Sequence, residues 1–204
     1  MKDRIEKKAR DLFMRYGFKA ITMDEIASNL GTSKKTIYQF YSDKRELVNI
    51  IVENLLKVLQ DDILLLQNSF NPVSEVLYNL ESVETLLNTM NPHFLFEMEK
   101  CFPLAYKKFL VYKHNFLFNA IKDNLEKGIE EKVYRKEINI EILAQYRLES
   151  IFIAFEQNIF PASKYHLYKV MEEIALNFLY GIVTEKGKVL IENHIAKQEN
   201  MQHI

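Results

Sequence analysis

The chain has 204 residues, a formal net charge of −1, 5 Gly, 4 Pro and a single Cys. This length suffices for one large or two small domains with a substantial core, and the lone cysteine excludes an intramolecular disulfide framework. The charged N-terminus lacks the apolar stretch of a signal peptide, and no window approaches the roughly 18 apolar residues of a membrane span. Because breakers are few and apolar residues recur at helical spacing, we expect a soluble, cytoplasmic, all-α protein.

The first predicted helix covers residues 2–16. Its apolar side chains fall on one stripe of a helix with 3.6 residues per turn. We expect this stripe to cover the two helices that follow and to complete a small three-helix core. The stripe consists of Ile5, Ala9, Leu12, Phe13 and Tyr16.

Residues 22–44 predict two short helices joined at a glycine. Thr22 and Glu25 have the spacing of a capping box, in which each side chain satisfies a free backbone N–H at the start of a helix. Gly31 is placed to end this helix, because glycine enters the left-handed conformation without steric cost. Two helices joined by so tight a turn form a helix-turn-helix unit.

The second helix of this pair carries DNA-binding chemistry. Ser33 or Thr32 can cap it, and we expect Ile37 and Phe40 to face inward. Lysines neutralise phosphates, while Thr, Tyr and Gln donate to phosphate oxygens or contact base edges in the major groove. An ordinary helical hairpin with a solvated basic face is the alternative, but cap, glycine and basic helix occur here in the order the motif requires. The outward residues are Lys34, Lys35, Thr36, Tyr38 and Gln39.

Basic charge is concentrated near this motif. Residues 1–47 hold 11 Lys and Arg against 7 Asp and Glu, a net charge of +4, whereas the remaining 16 against 21 give −5. Asp43 and Glu46 predict a second capping box that leaves Lys44 in the first turn of the next helix, where it can bind a phosphate.

Residues 9–47 resemble the DNA-binding domain of the TetR (tetracycline repressor) family of bacterial transcription regulators. The matching residues are Ala9, Leu12, Phe13, Tyr16-Gly17-Phe18, Thr22, Ile26-Ala27, Gly31, Ser33, Thr36-Ile37-Tyr38, Tyr41, Lys44 and Leu47. The chain departs from the family at Lys35, where a small residue is common, and at Phe40, where histidine is frequent, so the base sequence it binds is expected to differ. The resemblance implies DNA contacts by Thr22, Ser33, Lys34, Lys35, Thr36, Tyr38, Gln39 and Lys44.

Beyond the helix-turn-helix motif, apolar residues recur at helical spacing throughout the chain. A long helix from Lys44 to about Gln67 is predicted, and proline and asparagine then mark boundaries. We predict a helix-turn-helix DNA-binding domain at 1–47 and a helical regulatory and dimerisation domain at 48–204. The later helices are predicted at 73–89, 92–101, 103–130, 139–159 and 164–184, with a short helical tail.

The two predicted helices at 139–159 and 164–184 are apolar on more than one face. Two such helices from each of two subunits would form a four-helix interface with two-fold symmetry, or the pair could be deeply buried within one monomer. The resemblance favours a homodimer, whose recognition helices would lie about 34 Å apart on a palindromic operator. The predicted interface residues are Ile151, Phe155, Ile159, Tyr168, Met171, Ala175, Phe178 and Leu179.

Large aromatic residues crowd the stretch between the motif and those helices. They either line an apolar ligand pocket or simply form a core, and the spacing alone does not separate these alternatives. The resemblance implies a pocket for a small apolar or amphipathic ligand that releases a repressor from DNA. The candidate pocket residues are Met90, Phe94, Met98, Phe102, Tyr106, Phe109, Tyr112 and Phe116.

The sequence does not favour an enzyme. No two of the five histidines have the i, i+3 or i, i+4 spacing of helical metal ligands, and no glycine-rich phosphate loop or nucleophile elbow occurs. We therefore expect no catalytic residues, no metal and no cofactor. A constitutive DNA-binding or protein-recruiting module without ligand response is the remaining alternative.

Overall fold

The computed structural model describes the backbone of residues 1–202 and the side chains of residues 1–198. The all-α prediction is confirmed over this range, which contains helices and no β-strand. No helix within it is long and apolar enough to cross a membrane. The helices are α1 (Lys2–Tyr16), α2 (Met23–Leu30), α3 (Lys34–Tyr38), α4 (Lys44–Ser69), α5 (Pro72–Ser82), α6 (Glu84–Thr89), α7 (Phe94–Cys101), α8 (Pro103–Val111), α9 (Phe118–Glu130), α10 (Ile140–Ile153), α11 (Leu167–Ile182) and α12 (Glu185–Gln202), with a π-helical segment, Tyr112–Leu117, between α8 and α9.

The chain divides into two compact units. The first unit comprises Met1–Leu59 and Leu86–Tyr112, and the second comprises Gln60–Thr85 and the chain from Lys113 onward. The helix-turn-helix motif therefore shares its unit with α7 and α8, which lie far along the sequence. The predicted boundary after residue 47 separates functional domains and not packed units, and it stays a prediction.

In the first unit α1 packs against α2 as the apolar pattern predicts, but Tyr16, the last residue of the predicted stripe, is 46% exposed. Ile5, Ala9 and Phe13 are fully buried. The inward position predicted for Phe40 is wrong, because α3 ends at Tyr38 and the side chain of Phe40 is 39% exposed. Tyr41 is buried instead, and its hydroxyl donates to Glu6 Oε1 on α1 over 2.7 Å.

Several predicted helices have different ends. The helix predicted at 73–89 is interrupted at Val83, and the helix at 103–130 is divided by the π-helical segment Tyr112–Leu117. The helix predicted at 139–159 ends at Ile153, while the tail forms the 18-residue helix α12 rather than a short one. These differences arise where apolar spacing continues through a backbone break, which periodicity does not detect.

In the second unit α5 packs against α9, α11 and α12, and α10 packs against α9 and α11. The core where these helices meet contains one tight approach of backbone to ring. A Cβ on Gly128 would lie 1.9 Å from a ring carbon of Tyr134, so only glycine fits beside this tyrosine. The buried core residues are Val73, Leu77, Leu125, Val133, Tyr134, Ala144, Phe178, Leu179, Ile182 and Ile191.

Polar groups are buried in the same core. The Tyr134 hydroxyl lies 3.0 Å from both the Pro72 carbonyl oxygen and Asn124 Oδ1, and Asn124 Nδ2 donates to the same carbonyl. Glu75 is 3% exposed, and its Oε2 has no hydrogen-bond partner among the described residues. Burial raises the pKa of Glu75 to about 7, against the opposing effects of Asn124 and Lys127.

Candidate DNA-binding surface

The predicted capping box at the start of α2 is confirmed. The Glu25 N–H donates to Thr22 Oγ1 over 3.2 Å, and the Thr22 N–H donates to Glu25 Oε2 over 2.6 Å. Gly31 ends α2 with φ 63° and ψ 34°, in the left-handed conformation that glycine enters at least cost. These two ends fix the direction in which the chain enters α3.

The cap of α3 is Ser33, so Thr32 does not take that role. Ser33 Oγ accepts from the Thr36 N–H over 3.1 Å, and the two hydroxyl oxygens lie 2.9 Å apart. Lys35 and Gln39 are exposed, and Tyr38 is 43% exposed although it ends a helix whose Ile37 is fully buried. The resulting outward face bears a cation, an amide and a phenol, which suit phosphate oxygens and base edges.

Lys34 is engaged in an ion pair. Its Nζ lies 2.6 Å from Asp24 Oδ2 on α2, and both side chains are largely exposed. The hydrogen bond to Asp24 raises the pKa of Lys34. A phosphate that approached this lysine would compete with the Asp24 carboxylate.

Lys44 lies in the first turn of α4, as predicted, but its ammonium group turns toward the protein. Nζ donates to the Phe18 carbonyl over 2.5 Å and lies 5.8 Å from the centroid of the Phe13 ring. Burial lowers the pKa of Lys44, while the carboxylates of Glu97 and Glu25 oppose that shift. The predicted capping box at the helix start is half formed: Asp43 Oδ1 accepts from the Glu46 N–H over 2.8 Å, but Glu46 Oε2 accepts from the Ser42 N–H over 2.6 Å instead of from that of Asp43.

The turn between α1 and α2 is held by a residue that sequence reasoning missed. The Lys19 N–H donates to Glu97 Oε2 over 2.9 Å, and the Phe18 ring lies 4.4 Å from that of Phe94 and 5.1 Å from that of Phe102, centroid to centroid. Glu97 is 78 residues from Lys19. No local pattern in the sequence could have indicated this contact.

The eight candidate pocket residues are distributed over α7, α8 and their flanks. Phe94 and Phe102 pack with Phe18, so they contribute to the core of the first unit. The rings of Tyr106 and Phe109 stack at 5.9 Å, and burial raises the pKa of Tyr112. Met98 is buried on α7, whereas Met90 and Phe116 are half-buried.

The predicted dimer-interface residues divide into two groups. Four of them are buried within the single chain, and a side chain so covered has no surface to offer a second copy; these are Tyr168, Ala175, Phe178 and Leu179. Ile151, Phe155 and Met171 are half-buried, and Ile159 is 44% exposed. The exposed apolar side chains on α10 and α11 that sequence reasoning did not select are Ile142, Tyr146, Ile153 and Tyr180.

Comparison with known proteins agrees with this geometry. Residues 5–51 match the family described as bacterial regulatory proteins, tetR family. YvaF, an uncharacterized HTH-type transcriptional regulator of Bacillus subtilis strain 168, is 34% identical over 103 residues, which cover 49% of this chain and 53% of that protein. The chain therefore matches about half the length of this relative.

Solved structures extend the likeness across the chain. A transcriptional regulator from Cytophaga hutchinsonii is 24% identical with a TM-score of 0.68, and the match covers 90% of this chain and 98% of that one. A putative transcriptional regulator from Saccharomonospora viridis, solved in complex with choline, is 17% identical with a TM-score of 0.72 and the same coverage. At these identities the likeness establishes the fold.

Proposed function

We propose that this chain is a sequence-specific DNA-binding transcriptional regulator of the TetR family, because residues 5–51 match that family of bacterial regulatory proteins and the relative YvaF is an HTH-type transcriptional regulator. The observation that carries the proposal is the outward face of α3. Ser33 caps this helix, Gly31 sets the turn before it, and Lys35, Tyr38 and Gln39 project from it with few intramolecular contacts. In this role α3 would enter the major groove, with Thr22, Ser33, Lys34, Thr36 and Lys44 contacting the DNA around it.

We further propose that the chain acts as a homodimer on a palindromic operator and represses transcription there. A symmetric dimer presents α3 twice, one turn of DNA apart, and so matches an inverted repeat. The exposed apolar side chains of α10 support an interface on this helix. Ile142, Tyr146 and Ile153 recur at i, i+4 and i+11, which places them on one face.

The proposal includes release from DNA by a small apolar or amphipathic ligand. A ligand weakens DNA binding only if it binds the form with low DNA affinity more tightly. The regulator from Saccharomonospora viridis, which has a similar fold, was solved in complex with choline, and this supports a small-molecule site in this chain. In this chain the π-helical turn that begins at Tyr112, a candidate pocket residue, supports a ligand site, because π-helical turns are rare and recur at functional sites.

Selection of duplexes by the purified chain tests DNA binding. The chain is incubated with a randomised duplex pool, and an inverted repeat is expected among the sequences recovered. Lys35→Ala and Tyr38→Ala are expected to weaken binding to that duplex roughly tenfold each, in line with the loss of one base or phosphate contact. Lys57→Ala, an exposed lysine on α4, is the matched control and should leave the affinity unchanged. Failure to retard any duplex at low salt would contradict the function.

Sedimentation tests the dimer. The wild-type chain is expected to sediment as a dimer, and Tyr146→Glu as a monomer, because a carboxylate on the α10 face would be desolvated on association. Val189→Glu places the same charge on a 52% exposed apolar position of α12 and should leave the dimer intact. A dimer that survives Tyr146→Glu would place the interface elsewhere.

Ligand response separates a regulator that is released from DNA from a constitutive module. The selected duplex is bound to the wild-type chain and challenged with choline and a panel of apolar and amphipathic compounds. Release that follows a saturable concentration dependence supports the ligand-controlled repressor. Retention of the duplex against the whole panel favours the constitutive or protein-recruiting alternative.

A further inference from the structure

We infer that Glu97, on α7, is a positioning residue for DNA binding: it fixes the turn of residues 17–19, whose Phe18 carbonyl in turn holds the ammonium group of Lys44, the residue proposed to contact a phosphate. The inference rests on the proposed function, since it concerns the same DNA-binding surface. It assigns to that surface a residue that lies outside the segment of residues 5–51.

The Glu97 carboxylate is fitted closely to the turn. Oε2 accepts from the Lys19 N–H over 2.9 Å, and a Cβ built on Gly17 would lie 2.9 Å from Oε2 and 3.2 Å from Oε1. Gly17 has φ 84°, which side-chain-bearing residues rarely adopt. The missing side chain of Gly17 thus makes the space that the carboxylate occupies.

The helix that carries Glu97 is itself fixed to the motif. The Asn91 N–H, just before α7, donates to the Met14 carbonyl of α1 over 2.6 Å. On the same helix Phe94 packs its ring against Phe18, and Phe102 packs there from the other end of α7. The carboxylate is therefore held by contacts at both ends of α7, and the turn cannot shift without breaking them.

Lys44 completes the chain of contacts. An ammonium group has three N–H donors, of which the Phe18 carbonyl takes one, so the remaining donors are available to a phosphate oxygen. Burial lowers the pKa of this lysine, and the nearby carboxylates of Glu97 and Glu25 act against that effect. Glu97 thereby fixes the turn whose carbonyl holds Lys44.

A double-mutant cycle with Lys44 tests the inference. Binding to the duplex selected by the wild-type chain is titrated as a function of salt for Glu97→Ala, Lys44→Ala and the double variant. We expect Glu97→Ala to weaken binding roughly tenfold and to lower the slope of log K against log salt by about one, as the loss of one phosphate contact does. In the Lys44→Ala background the same substitution should cost no more than about twofold, because residues that act through one contact are not additive.

Two further variants separate positioning from fold stability and from net charge. Glu97→Gln keeps an oxygen acceptor for the Lys19 N–H and should bind within about twofold of wild type. Glu99→Ala removes an exposed carboxylate of α7 that pairs with Lys100 and should not change the slope. Should Glu97→Ala fail to fold, Glu97→Asp, which retracts the carboxylate by one methylene, is expected to show the same loss of DNA affinity.

The possible results are distinct. An equal loss from Glu97→Ala in the wild-type and Lys44→Ala backgrounds, or no loss in either, overturns the inference while the wild-type titration still supports DNA binding. Absence of DNA binding by the wild-type chain overturns the proposed function, and the inference with it.

Discussion

The helix caps of the first unit and the buried polar group of the second unit differ in how far apart their partners lie along the chain. In the first unit the polar contacts of the motif are local and near the surface, as between Thr22 and Glu25 or Ser33 and Thr36, each pair three residues apart. In the second unit the Tyr134 hydroxyl reaches the Pro72 carbonyl across 62 residues and within the core. The caps of α2 and α3 are thus encoded in short sequence windows, whereas the buried polar group of the second unit depends on long-range packing.

The largest expected effect tests the packing of the second unit. Gly128→Ala places a Cβ 1.9 Å from the Tyr134 ring, closer than any real contact, so the ring must move and its hydroxyl must leave the Pro72 carbonyl. We expect a loss of about 3 kcal/mol in the free energy of unfolding, measured by urea denaturation.

The matched control is another helical glycine of the same unit. A Cβ on Gly181 meets nothing within 4 Å, so Gly181→Ala should be neutral or stabilising by up to about 1 kcal/mol through helix propensity. Similar losses for both substitutions would show that backbone entropy, and not the Tyr134 contact, governs stability here.

The buried Glu75 predicts a pH-dependent stability of the second unit. Its pKa is raised from the ordinary 4.5 to about 7 in the folded state, so the folded chain binds more protons than the unfolded chain between these values. The stabilisation is fully present below pH 4.5 and is lost as the pH rises through 7, by up to about 3 kcal/mol. Thermal melts of Glu75→Gln should lack this component.

The control for Glu75 is an exposed carboxylate of the same unit. Glu130→Gln on α9 should retain the wild-type pH profile, because its side chain is solvated in both states. If Glu75→Gln also retained the wild-type dependence of stability on pH, the buried Glu75 carboxyl would have to be ionised in the folded chain. It would then need a charged partner, and Oε2 has none among the described residues.

The same difference between local and long-range contacts explains which parts of the fold and of the candidate site the sequence could predict. Helix α1, the caps of α2 and α3 and the turn at Gly31 follow from spacing over a few residues, and all of them are confirmed. Phe40 was misplaced because helical periodicity was extended past the end of a five-residue helix. Glu97 and the Tyr134–Pro72 contact had no local signal, since Glu97 lies 78 residues from Lys19 and Tyr134 lies 62 residues from Pro72.

The buried residues of α11 show that helical periodicity also has a limit in predicting the candidate dimer interface. Apolar residues on two faces of a helix indicate two contacts but do not say which of them is made within the chain. The structure assigns Phe178 and Leu179 to the core of the second unit. The exposed apolar side chains of these helices are instead Ile142, Tyr146 and Ile153 on α10 and Tyr180 on α11, which periodicity alone could not separate from the core.

A smaller effect tests the local encoding of the first unit. Thr22→Ala removes the acceptor of the Glu25 N–H and should lower the free energy of unfolding by about 1 kcal/mol. Thr32, at the neighbouring turn, does not cap a helix, so Thr32→Ala should change the free energy of unfolding much less. Equal losses would indicate that the capping box does not account for the stability of α2.

The smallest expected effect on stability comes from the ion pair beside α3. Asp24→Asn breaks the Lys34 ion pair, and because exposed pairs contribute little, the melting temperature should hardly change. DNA affinity should rise a few fold, as expected when one more lysine is free to bind phosphate.

Asp11→Asn is the matched control. It removes an exposed carboxylate of α1 that pairs with Arg10, and so makes the same change in net charge away from α3. An equal gain in both variants would mean that overall charge, rather than the release of Lys34, controls the affinity; a gain confined to Asp24→Asn places Lys34 on the DNA-binding surface.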